Sequence, residues 1–221
     1  MLTLSERGEM TDLELVRTIA SAPLRTMRFR DLQTAGTNTW RQLDSLVSGG
    51  ALLRLAHGIY TVPPDGRDAR RWQPGLESAG LAIATARHGE RRTILMGIGA
   101  ARHWGAIPRA IGTTVIAVPT AGHHPLTIGS GTVHFVQRDL DLVDAALEET
   151  ELGRALVTTP EQTHVDLLMR PAQGGDRDTS LTAAETLRPQ LDPDEYAQII
   201  RTAPRTNTAI RRTLDELRAS R

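Results

Sequence analysis

Thr37-Asn38-Thr39-Trp40-Arg41-Gln42-Leu43-Asp44-Ser45-Leu46-Val47 runs into Ser48-Gly49-Gly50. Trp40, Leu43, Leu46 and Val47 recur at helical spacing and share one face. Asn38, Arg41, Gln42 and Ser45 share the opposite face. Thr37 or Asn38 offers an N-cap oxygen, and the glycine pair ends the helix. Asn, Gln and Arg are the side chains able to make paired hydrogen bonds to base edges in the major groove. The stretch therefore reads as a helix with one core face and one face suited to reading DNA. Trp40, on the apolar stripe, belongs to the core in this reading.

The flanks extend that reading. Residues 12–22 carry Leu13, Leu15, Val16, Ile19 and Ala20 at helical spacing, capped by Thr11 or Asp12 and ended by Pro23. Residues 30–35 give one or two helical turns, stopped by Gly36. Residues 52–55 and 59–62 read as two strands, with Gly58 as the left-handed residue of a tight hairpin. Helix, turn, helix, turn, helix, hairpin is the order of a winged helix-turn-helix. The expected DNA contacts are Thr37, Asn38, Thr39, Arg41, Gln42 and Ser45 on the third helix. Arg54 and His57 on the hairpin join them, with Arg28 and Arg30 on the segment before it. The competing reading is a small helical bundle whose Arg41 and Gln42 are merely solvated.

Charge supports the first reading by its distribution. The 221 residues carry 26 basic and 26 acidic side chains, so the net charge is zero. Residues 24–74, however, hold eight arginines against four aspartates, while residues 139–151 hold six acids and no base. A basic N-terminal region and an acidic patch coexist in one chain. Every basic residue apart from histidine is arginine, which offers a planar fork to phosphate and guanine.

Beyond the hairpin, residues 63–75 are polar and punctuated by Pro and Gly, and read as a linker. The expected organisation is a winged helix over 1–62, this linker, and a larger mixed α/β domain with a helical C-terminal tail over 76–221. The whole is α+β. Residues 76–88 read as a helix, 113–118 and 132–137 as strands. Thr159-Pro160-Glu161-Gln162 opens another helix, with threonine as cap, proline in the first position and Gln162 completing a capping box. Asp166 lies among Val165, Leu167 and Leu168, and reads as a carboxylate anchoring a loop or pairing with arginine. Helices over 181–187, 193–201 and 206–218 form a basic tail, read as solvated.

Several stretches together resemble the AbiEi-type antitoxins. The run from Phe29-Arg30-Asp31-Leu32 to Gly58-Ile59-Tyr60 is similar to the family's N-terminal domain, with His57 where a basic residue usually precedes the wing glycine. Gly97-Ile98-Gly99-Ala100-Ala101-Arg102-His103-Trp104-Gly105 resembles its alanine-rich helix, and Thr114–Pro119 the strand after it. Val157-Thr158-Thr159-Pro160-Glu161-Gln162-Thr163-His164-Val165-Asp166-Leu167-Leu168 is the most specific match. The resemblance covers about residues 27–170. It implies an antitoxin of a bicistronic toxin–antitoxin system, which represses its own operon through the winged helix. It also implies that the C-terminal domain counters a nucleotidyltransferase-like toxin, with direct contact left open. Double-stranded DNA of its own promoter, arranged as inverted repeats, is the other expected partner.

Other classes are disfavoured. With no cysteine, disulfides, thiolate zinc sites and cysteine nucleophiles are excluded. With no lysine, a P-loop and a lysine-dependent nuclease centre are excluded. His123-His124 would point apart on a strand and cannot form a metal site alone. Gly129-Ser130-Gly131 reads as a hairpin turn rather than a nucleophile elbow. No apolar run reaches membrane length, and the first residues lack the pattern of a signal peptide. The expectation is a cytoplasmic protein that is not an enzyme and uses no cofactor and no metal. The alternative function is a winged-helix regulator whose second domain senses a small ligand, with no toxin partner.

Overall fold

The structure, a computed structural model, describes residues 10–32, 38–109 and 111–220. Thr37 lies outside the described residues.

Thr11 starts α1 (Asp12–Ala20) with a reciprocal cap. Its hydroxyl accepts from the Glu14 amide at 3.3 Å, and the Glu14 carboxylate accepts from the Thr11 amide at 2.8 Å. Leu15 and Ile19 occupy the inner face and are fully buried. After Pro23 the chain turns through Leu24 and Arg25, both at positive φ, into a short strand, β1 (Thr26–Arg28). The one-turn α2 (Phe29–Leu32) and α3 (Thr39–Ser48) follow. The hairpin forms as expected from β2 (Leu53–Ala56) and β3 (Ile59–Thr61), with Gly58 at φ +66. The strand order β1-β3-β2 is antiparallel throughout.

β3 is buried on both faces, and alternation explains how. Tyr60 points into a core with Leu15, Ile19, Leu32, Leu43 and Leu52. Its neighbour Ile59 points the other way, into a core with Leu24, Leu55 and residues of α4 (Leu76–His88), including Leu81 and Ile83. The hairpin is thus sandwiched between the N-terminal helices and the rest of the molecule. Residues 63–75, expected as a linker, are fastened along their length. The Ala69 amide donates to the Gly50 carbonyl at 2.9 Å, Trp72 packs on the second core, and the Gly75 amide donates to the Glu151 carboxylate at 3.1 Å.

The larger region is built on a six-stranded sheet ordered β6-β7-β5-β4-β9-β8. Its strands are β4 (Ile94–Met96), β5 (Thr113–Val118), β6 (Leu126–Ile128), β7 (Gly131–Gln137), β8 (Ala145–Thr150) and β9 (Gly153–Thr158). Pairs β5–β7 and β4–β9 are parallel and the others antiparallel. Each face has its own layer. Leu95, Ile116 and Val118 face α4, while Ile94, Met96, Val115 and Ala117 face α5 (Gly97–His103), α6 (Pro160–Met169) and α7 (Arg177–Leu187). Gly80 lets α4 lie close to the sheet: a Cβ there would stand 3.1 Å from a Val133 methyl and 3.3 Å from Ile116.

The tail is packed on one side only. α8 (Pro193–Thr202) and α9 (Thr208–Ala219) bring Tyr196, Ile199 and Ile210 onto Val165 of α6. Arg201, Arg205, Arg211, Arg212 and Arg218 stay exposed, as a solvated charge run should. Among the described residues no helix is long and apolar enough to cross a membrane.

Candidate nucleic-acid interface

α3 presents the expected two faces. Leu43 is fully buried, whereas Asn38, Arg41 and Ser45 are exposed. Arg41 has no ion pair among the described residues, so its guanidinium is available to a partner. Three residues read as contacts or core sit differently. Thr39 is only 2% exposed and forms part of the packing of the helix start. The Gln42 amide donates to the Met10 carbonyl at 2.9 Å, bracing α3 against the chain ahead of α1. Trp40, placed in the core from the sequence, is 40% exposed. It meets Phe29 edge-to-face, with ring centroids 5.3 Å apart. A helix three turns long has room for few core positions, and Leu43, Leu46 and Val47 take them.

The hairpin is tied back to that helix. Arg54 pairs with Asp44, and its guanidinium also lies over the Tyr60 ring, 5.5 Å from the centroid. His57 stands exposed at the hairpin tip. Arg28 is held by a two-point fork to Asp31, at 2.7 and 3.0 Å, and donates to the Arg87 carbonyl at the end of α4. Arg30 extends into solvent, 3.9 Å from the same Asp31 carboxylate. A shallow groove of about 520 Å³ joins this region to α4, bordered by Arg30, His57, Arg87, His88 and His123. Burial, and then His123, push the His88 pKa below the ordinary histidine range; burial lowers Arg87 as well. Of the expected contacts in the described residues, Asn38, Arg41, Ser45, His57 and Arg30 are exposed. Arg28 and Arg54 are engaged at the margin, and Thr39 and Gln42 serve the packing.

A second polar constellation occupies α6. Thr159 caps the helix, accepting from the Gln162 amide at 3.3 Å. The Gln162 side chain does not return to close a capping box. It turns forward and donates to Asp166 Oδ1 at 3.1 Å. Arg138, just past β7, donates to the same oxygen at 3.1 Å. The arginine partner expected for Asp166 is present. Its identity was not legible, because it lies 28 residues away across the fold. Burial raises the Asp166 pKa against the opposing pull of Arg138. Beside it, buried His164 bonds through Nδ1 to the Tyr196 hydroxyl at 2.9 Å. His123 and His124 lie in the loop before β6, and no group of three metal-ligating side chains occurs among the described residues.

The small helical and hairpin unit, the six-stranded sheet and the helices packed on it make an α+β chain of the antitoxin class. It belongs to the AbiEi antitoxin family: the AbiEi antitoxin C-terminal domain matches residues 94–217. The crystal structure of the RV2827C protein from Mycobacterium tuberculosis is similar in fold. Its TM-score is 0.60 at 19% sequence identity, over 93% of this chain and 75% of that one. No curated protein matches the chain. The family match starts at β4 and ends in α9, so the basic tail is part of the antitoxin domain. The resemblance read from the sequence stopped near residue 170.

Proposed function

We propose that this antitoxin is also a DNA-binding autorepressor of a bicistronic toxin–antitoxin operon. The order α1-β1-α2-α3-β2-β3 fits a winged helix-turn-helix, with α3 as the recognition helix and the β2–β3 hairpin as the wing. The observation that carries the reading is the exposed Arg41 on α3, without an ion pair among the described residues, flanked by Asn38 and Ser45 and set beside an arginine-bearing hairpin. That face offers base-reading donors at its centre and phosphate-binding cations at its margin. The partner is double-stranded DNA of its own promoter, arranged as inverted repeats, and binding takes place in the cytoplasm. Residues 1–62 carry DNA recognition. Residues 76–221, joined through 63–75, counter a nucleotidyltransferase-like toxin and perform no catalysis.

The test is a gel shift of the full chain on the DNA upstream of its own gene, across a salt series. Saturable, sequence-preferring binding that weakens as salt rises is expected. Equal affinity for promoter and scrambled DNA would remove the repressor reading. Co-expression with the product of the adjacent reading frame tests the antitoxin part, with restored growth as the expected result.

A further inference from the structure

The helical tail does more than cover α6. Between α6 and the connection from α8 to α9 lies a cavity of about 280 Å³. Its polar lining is Arg138, Gln162, Asp166, Arg170, Gln173 and Arg205, and Val165, Met169 and Ile199 supply an apolar wall. Three arginines against one carboxylate leave two positive charges facing a concave space in the antitoxin domain. They come from three separate parts of the fold: the end of β7, the C-terminal end of α6, and the α8–α9 connection.

Of the three arginines only Arg138 meets the carboxylate. Asp166, only 6% exposed, meets Arg138 through one nitrogen rather than a two-point fork. The rest of the guanidinium keeps its donors. Asp166 Oδ2 is buried with no hydrogen-bond partner among the described residues, so the carboxylate is not optimised as a structural clamp. The carboxylate holds one end of the Arg138 guanidinium, at 3.1 Å. Arg170 and Arg205 form no ion pair among the described residues, although acidic side chains are as numerous as basic ones in this chain. The rim is built rather than loose. The Arg170 amide donates to the Asp166 carbonyl at 3.0 Å, the Gln173 amide to the Arg170 carbonyl at 2.9 Å, and the Asn207 side chain to the Leu168 carbonyl at 2.9 Å.

We propose that this cavity binds a small phosphate monoester, with the phosphate on Arg138, Arg170 and Arg205 and the organic part against Val165, Met169 and Ile199. Two net positive charges match a phosphate dianion better than a carboxylate, and arginine forks match its oxygens. The volume is near the lower end of ordinary small-molecule sites, which limits the ligand to about the size of a sugar phosphate or mononucleotide. Because Arg205 comes from the tail and Arg138 from the sheet, the ligand ties the two together. The proposal does not depend on DNA binding, and each can fail without the other.

Calorimetric titration of the full chain, without DNA and at constant ionic strength, tests it with ribose 5-phosphate, adenosine monophosphate and inorganic phosphate. Saturable binding of at least one monoester is expected, tighter than inorganic phosphate. Arg170 and Arg205 are exposed on the rim, so Arg170→Ala and Arg205→Ala should leave the fold intact, with circular dichroism as the check, and each should weaken binding on the order of tenfold or more. Ligand should also slow hydrogen exchange at residues 203–207. Asp166→Asn should weaken binding through loss of Arg138 placement, with circular dichroism reporting its fold. No saturable binding by any probe, equal binding of monoester and inorganic phosphate, or affinity unchanged in the Arg170→Ala/Arg205→Ala double variant would overturn the proposal.

Discussion

The guanidinium carbon of Arg54 lies 5.3 Å from the centre of the Trp40 ring, joining the hairpin to α3 by a cation–π contact. Arg54 also pairs with Asp44, so one arginine bridges the two elements expected to meet DNA. Both partners of the ion pair are well exposed, at 39% and 47% of their side chains. Breaking it should therefore cost under about 1 kcal/mol of stability. Asp44→Asn should free Arg54 for phosphate. Operator affinity should rise, and the slope of log affinity against log salt should steepen by about one. An unchanged slope would place Arg54 away from the DNA backbone.

Arg41 and Arg30 separate reading from positioning. Arg41→Ala should cost about 1–3 kcal/mol of operator binding and relax preference at one base position. Arg30→Ala should weaken operator and scrambled DNA alike. Competition assays with point-changed operators distinguish the two. A uniform loss in Arg41→Ala would reduce that residue to a phosphate contact.

The shared core should make the two regions fold together. Leu24, Leu55 and Ile59 bury against α4, with Leu55 9% and Ile59 3% exposed. Leu55→Ala should cost about 2–5 kcal/mol. Urea unfolding of the full chain should show one transition when followed both by Trp40, Trp72 and Trp104 fluorescence and by far-ultraviolet dichroism. A fragment of residues 1–74 should bind operator more weakly than the full chain, because it exposes the face that α4 covers. Two well-separated transitions would mean that the regions fold independently.

The elements that were legible are those with a strong local period or cap. Residues 76–88 and 113–118 form a helix and a strand with the expected bounds, and Thr159-Pro160 starts α6 as its sequence demands. What escaped was short or mixed. β1 and β4 have three residues each, too few for alternation to show. β8 covers part of the acidic run, where Glu148 and Glu149 read as charge rather than as an edge strand. On α3 the exposed Arg41 could be read from spacing. The bonds that occupy Gln42 and Arg54 could not, since their partners are distant in sequence or on another element. Arg138 and Arg205, 28 and 39 residues from Asp166, were hidden for the same reason, whereas Arg170 follows it by one helical turn.

Acid should weaken the fold through His164. The imidazole is 1% exposed, and burial, with a smaller contribution from Arg188, lowers its pKa to about 4 from 6.5. As pH falls below 6.5 the unfolded chain takes up this proton first. The contribution is therefore complete above pH 6.5 and is lost between 6.5 and about 4. A gap of that size corresponds to about 3 kcal/mol, as an order of magnitude. Asp166 and Glu161, both raised by burial, act in the opposite direction, since their penalty is relieved as they protonate. The overall profile mixes these terms, and the His164→Gln variant isolates one of them. Glutamine has no proton to gain here and keeps a polar group facing Tyr196. Urea unfolding at a series of pH values should show wild type losing stability faster than the variant from pH 6.5 down to 4. The difference between the two should be constant above 6.5. Parallel profiles across that window would mean that His164 is not held neutral by the fold.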